Sequence, residues 1–85
     1  MRLILFTATN CPRCPAAKSL VEEITKELGM ENEKDYKILN IDDEENMILA
    51  LQHQIASTPS IVIDDEPIFV GKVPTKEELI EKLKS

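Results

Sequence analysis

The stretch LILFTATNCPRCPAAKSLVEEITKELG, from Leu3 to Gly29, decides the fold. It opens on an uninterrupted apolar run, Leu3 to Phe6, that stops at the polar Thr7 to Asn10. A run this short reads as a strand buried on both faces, which calls for a sheet covered by helices. After Pro15, the residues Ala17, Leu20, Val21, Ile24 and Leu28 recur at spacings of three and four, while Lys18, Glu22, Glu23, Lys26 and Glu27 fill the other side. This is the pattern of an amphipathic helix, and Gly29 is placed to close it as a left-handed C-cap. Between strand and helix stands Cys11-Pro12-Arg13-Cys14.

Working outward, Tyr36 to Ile41 reads as a second strand, with Ile38, Leu39 and Ile41 covering both faces. Asp42 with Glu45 three residues on can open a second helix, whose buried stripe is expected to be Met47, Ile48, Leu51 and Ile55. That helix stops before Thr58-Pro59. Ile61 to Ile63 and Ile68 to Val70 are two short β-branched runs joined by Asp64-Asp65-Glu66-Pro67, a hairpin with Pro67 leading into an edge strand. Thr75 and Glu78 have capping-box spacing, and Leu79, Ile80 and Leu83 give the last helix its inner side. The element order is βαβαββα. A strand, helix and strand in one sheet make a right-handed parallel crossover, and the closing hairpin adds antiparallel strands. The expected fold is therefore α/β, a four-stranded mixed sheet with helices on both faces.

Size and charge narrow the function. The 85 residues fit one domain spanning 1–85. Sixteen Asp and Glu against ten Lys and Arg leave a net charge of −6, which repels a phosphate backbone, so nucleic acid is not an expected partner. The apolar run near the amino terminus falls far short of the ~20 residues of a membrane span and of a signal-peptide core. No membrane partner is expected, and a cytoplasmic monomer is.

The chain has two cysteines, both in the C-x-x-C. A lone structural disulfide is improbable in a reducing cytoplasm, so the pair points to redox or metal chemistry. Two intervening residues at a helix start can bring both sulfurs within bonding reach. Unpaired N–H groups of the first turn and the Arg13 guanidinium both favour a thiolate at Cys11. Pro12 suits the first turn, where its missing N–H has no partner to lose. Cys11, nearer the strand end, is the expected nucleophile, and Cys14, a turn deeper, the resolving thiol. Zinc would want four ligands, and only His53, far along the chain, could add to the two sulfurs, so no metal and no cofactor is expected. The alternative reading is a chaperone that binds Cu(I) or another soft ion through Cys11 and Cys14.

The strand-CPRC-helix start, the Thr58-Pro59 pair before a short strand, and the closing hairpin and helix together resemble the thioredoxin and glutaredoxin superfamily along the whole chain. The resemblance implies a thioredoxin-like fold and a small thiol-disulfide oxidoreductase that reduces protein disulfides and is recycled by a reductase or thiol donor. It also implies a cis peptide at Pro59 beside the nucleophilic sulfur and a Thr58 backbone that hydrogen-bonds the substrate chain. CPRC is nearer the C-P-aromatic-C of glutaredoxins, with Arg13 in place of the aromatic residue. Thr7 to Asn10 lack the basic residue of glutathione-binding members, and Gly71-Lys72-Val73 lacks their Gly-Gly and acid. The ending, Gly71 followed by Pro74 and Lys76-Glu77-Glu78-Leu79, is similar to that of small thioredoxins. Leu5 stands where thioredoxins keep a buried carboxylate, six residues before the first cysteine. Copper chaperones with a C-x-x-C at this place follow the order βαββαβ and lack the T-P pair.

Overall fold

The computed structural model describes residues 2–84. Its elements run β1 (Leu3–Thr7), α1 (Cys14–Glu27), β2 (Tyr36–Asn40), α2 (Glu44–Gln52), β3 (Ser60–Ile63), β4 (Glu66–Val70) and α3 (Lys76–Lys84), the expected βαβαββα. The sheet order is β2-β1-β3-β4. β1 pairs parallel with β2, Leu3 opposite Tyr36, and antiparallel with β3, Phe6 opposite Ser60. β3 and β4 close it as an antiparallel hairpin.

Strand alternation sorts the core into two layers. Leu3 and Leu5 of β1 with Ile61 and Ile63 of β3 meet Ala17, Val21 and Ile24 of α1 and Leu79 and Leu83 of α3. On the other face Phe6 and Val62 meet Ala50 and Ile55 beneath α2, with Leu39 and Leu49 packed around them. β1 and β3 are thus buried from both sides. α1 ends as its sequence requires: Gly29 sits at φ +70, its N–H donates to Lys26 C=O and the Met30 N–H to Thr25 C=O, a Schellman closure.

α2 departs from expectation. Met47, Ile48 and Leu51 are 38%, 51% and 56% exposed, and the residues turned inward are Leu49 and Ala50. Residues 47–51 are all apolar, so their periodicity does not choose a face. Polar anchors choose it: Asn46 Nδ2 donates to Asn40 C=O at 3.0 Å, and small Ala50 comes to rest in the Phe6 layer. The cap also shifts by one residue. Asp43, not Asp42, accepts the Glu45 N–H at 3.0 Å, because Asp42 is engaged by the Thr9 N–H at 3.1 Å. The hairpin turn is shorter than expected, since Asp64 and Asp65 alone turn the chain at φ 50 and 67 and Glu66 and Pro67 already belong to β4.

The second capping box forms as expected. The Glu78 N–H donates to Thr75 Oγ1 at 3.1 Å and the Thr75 N–H donates to Glu78 Oε1 at 2.9 Å. That backbone bond, with the Lys72 ammonium, holds the Glu78 carboxyl below its ordinary value. A depressed carboxylate adds stability above its unfolded pKa and loses it as pH falls through the folded one. Glu78→Ala should therefore lower the melting temperature at neutral pH, while in strongly acidic solution variant and wild type should melt together. Melting followed by circular dichroism at both pH values checks this.

Candidate active site

β1 delivers the chain to the carboxyl end of the sheet, where Ala8 to Arg13 turn into α1. The loop is pinned from the β2 side: Asp42 accepts the Thr9 N–H, and Asn40 Nδ2 donates to Thr9 Oγ1 at 3.3 Å. α1 begins at Cys14, with Arg13 as its N-cap residue, so Pro12 lies in the turn before the helix and Pro15 is the proline of the first turn. The expected place of Pro12 is corrected by that shift. The Cys14 N–H donates to Cys11 C=O at 3.3 Å, a turn with Pro12 and Arg13 as its two central residues, placed just before the first residue of α1.

Cys11 and Cys14 are joined as a disulfide with a Cα–Cα separation of 5.3 Å, well within the range such bonds span. The two sulfurs differ in access. Cys14 is buried at 4% exposure, whereas Cys11 is half-buried. Pro12 and Arg13 are both exposed, and no acidic residue occupies the first turn of α1, so the helix start is electropositive. A groove of about 290 Å³ runs along the disulfide between Thr9 and Lys18. The larger hollow, about 420 Å³, lies at the other end beside Arg2 and Gly29, and neither cysteine lines it.

Thr58-Pro59 is a cis peptide, as expected. The pairing of Phe6 with Ser60 puts the start of β3 beside the end of β1, so Thr58-Pro59 and the cysteine loop emerge at the same end of the sheet. Pro59 is buried and Thr58 half-buried, and no hydrogen bond among the described residues occupies the Thr58 backbone. Leu5 is fully buried in the α1 layer, and the buried polar side chains among the described residues are Thr25 and Ser60, neither of which titrates.

His53 stays out of the site. It lies 3.9 Å from Asp65, in the turn beyond Ile63, which pairs with Leu3 at the opposite end of β1. Among the described residues no three side chains of His, Cys, Asp or Glu gather around one point. Lys18 lines the groove as well, and its place four residues after Cys14 on one helix face is the sequence signal for that position. Motif reading passed over Ser60.

A bonded C-x-x-C where the first strand meets the first helix of this mixed sheet defines the class of thioredoxin-fold dithiol-disulfide oxidoreductases. The thioredoxin domain family model matches residues 1–84. A thioredoxin of Methanocaldococcus jannaschii is 40% identical over 84 residues, covering 99% of this chain and 93% of that protein. A probable thioredoxin of Archaeoglobus fulgidus is 36% identical over 83 residues, covering 94% and 86%. Among solved structures, thioredoxin-2 of the malaria parasite superimposes with a TM-score of 0.69 at 20% identity, covering 96% of this chain and 79% of that one, a likeness of fold. The chain belongs to the thioredoxin family. No helix among the described residues is long and apolar enough to cross a membrane.

Proposed function

We propose that this chain reduces protein disulfides through Cys11 and Cys14, working as a single cytoplasmic domain and a monomer. The observation that carries the reading is the Cys11–Cys14 bond with its unequal access, Cys11 half-buried and Cys14 buried. In the reduced protein the Cys11 thiolate attacks one sulfur of a substrate disulfide. A Cys11–substrate bond forms, and the other substrate sulfur leaves as a thiolate that takes a proton from water. The Cys14 thiolate then attacks the Cys11 Sγ and the second substrate sulfur leaves. The substrate gains two electrons and two protons, and the protein is left with the Cys11–Cys14 disulfide.

Arg13 and the first-turn N–H groups favour the Cys11 thiolate, and Pro12 shapes the turn that separates the sulfurs. Thr58 presents its unoccupied backbone to the substrate chain, and Pro59 fixes the segment's approach. No buried carboxylate stands near Cys14 among the described residues, so its proton leaves to water along the groove. A reductase or a thiol donor restores the dithiol. The Cu(I)-chaperone reading is the weaker one, since the order βαβαββα and the Thr58-Pro59 pair are both foreign to copper chaperones that carry a C-x-x-C at this place.

The test is stoichiometric. Protein reduced chemically and freed of reductant should convert one equivalent of a peptide disulfide to its dithiol and itself become oxidised. Tight one-to-one Cu(I) binding with no conversion of the peptide would reverse the assignment.

A further inference from the structure

We propose that Ser60 is a positioning residue whose buried hydroxyl clasps the Thr58-Pro59 segment to the chain leaving β4, and so holds the substrate-docking backbone in place. The proposal rests on the reading of Thr58 as the residue that receives the substrate chain. Ser60 is fully buried. Its Oγ donates to the Ser57 C=O at 2.7 Å and accepts the Gly71 N–H at 3.1 Å. A hydroxyl offers one proton and two lone pairs, so this one side chain serves both groups at once.

The clasp starts where the ladder stops. The last pair between β3 and β4 at this end is Ser60 with Val70, and the residue before Ser60 is a proline with no N–H to extend it. Beyond that pair, among the described residues, the Ser60 hydroxyl links the segment before β3 to the segment after β4. Ser57 and Ser60 bracket Thr58-Pro59, so the donated bond closes a loop around the segment. Gly71 permits the approach: it sits at φ +70, and a Cβ there would lie 3.0 Å from Ser57 Oγ. The glycine thus lets the chain press against Ser57 closely enough for its N–H to reach Ser60.

Without the hydroxyl, the Ser57 C=O and the Gly71 N–H lose their shared partner inside the fold, and the segment between them is less well fixed. The dithiol, held on β1 and α1, is untouched. The consequence is selective: a polypeptide disulfide, which must dock its backbone, suffers, and a small disulfide, which docks none, does not.

The experiment compares a peptide disulfide with 2,2′-dithiodipyridine as oxidants of the reduced protein. Ser60→Ala should lower kcat/KM for the peptide about tenfold, chiefly by raising KM, the scale of one lost buried hydrogen bond. Its reaction with dithiodipyridine should stay within about twofold of wild type. Ser60→Thr and Ser60→Val, equal in volume and differing in the hydroxyl, decide the matter if Ser60→Ala does not fold: Thr should retain peptide turnover and Val should lose it. Equal slowing on both oxidants, an unaffected peptide rate in Ser60→Ala, or like behaviour of the Thr and Val variants would overturn the clasp alone. A wild-type protein that reduces neither oxidant would bring down the functional reading with it.

Discussion

Cys11→Ser should abolish disulfide reduction, with a loss of at least about a thousandfold, because a serine hydroxyl carries almost no anion at neutral pH and cannot exchange with a disulfide. Cys14→Ser should behave differently. Cys11 still attacks, so one substrate sulfur is released per protein molecule, and turnover then stops at the mixed disulfide. The asymmetry follows from burial: both cysteines line the groove, but Cys11 is half-buried whereas Cys14 is only 4% exposed. Rapid-mixing measurements of thiol release with each variant check the pair of outcomes. Equal activity in the two serine variants would show that either sulfur can open the reaction.

The second large effect concerns stability. Phe6→Ala should destabilise the fold by about 3 to 5 kcal/mol, the cost of removing a buried aromatic ring and leaving its cavity. Against the roughly 5 to 15 kcal/mol typical of whole domains, that loss is about a fifth or more of the total. Phe6 is fully buried and is the largest side chain in a small layer that also holds Val62, Ala50 and Ile55, so few neighbours can close over the gap. Ile48→Ala is the matched control. Ile48 is 51% exposed on the outer side of α2, and its truncation should cost within about 0.5 kcal/mol. Urea unfolding of the two variants measures both. A cost at Ile48 comparable to that at Phe6 would mean that α2 is rotated and that the stripe read from sequence is the buried one after all.

That stripe marks where sequence stops being legible. α1 was readable because its apolar residues occupy one face, its charges the other, and Gly29 ends it. The cysteine turn, the Thr58-Pro59 pair and the Thr75–Glu78 box were readable for a similar reason, since each is a local arrangement that few residue types allow. Residues 47–51 carry apolar side chains all round, and the face that packs is chosen by Asn46 reaching Asn40 and by the small Ala50 entering the Phe6 layer, contacts between separate elements of the fold. Asp42 and Asp43 are interchangeable as caps by type. Thr9, 33 residues earlier, takes Asp42 and leaves the cap to Asp43. Ser60 was invisible because a serine in a strand announces nothing until Ser57 and Gly71 are folded against it.

The reading of Cys11 as the attacking sulfur is tested most directly by trapping. Reduced Cys14→Ser protein mixed with a peptide disulfide should yield a stable adduct of one protein and one half-peptide. Proteolytic mapping should place that half-peptide on Cys11, and added dithiothreitol should release it. If no adduct forms on Cys11 while wild-type protein also leaves the peptide oxidised, Cys11 is not the nucleophile and the site does not reduce disulfides.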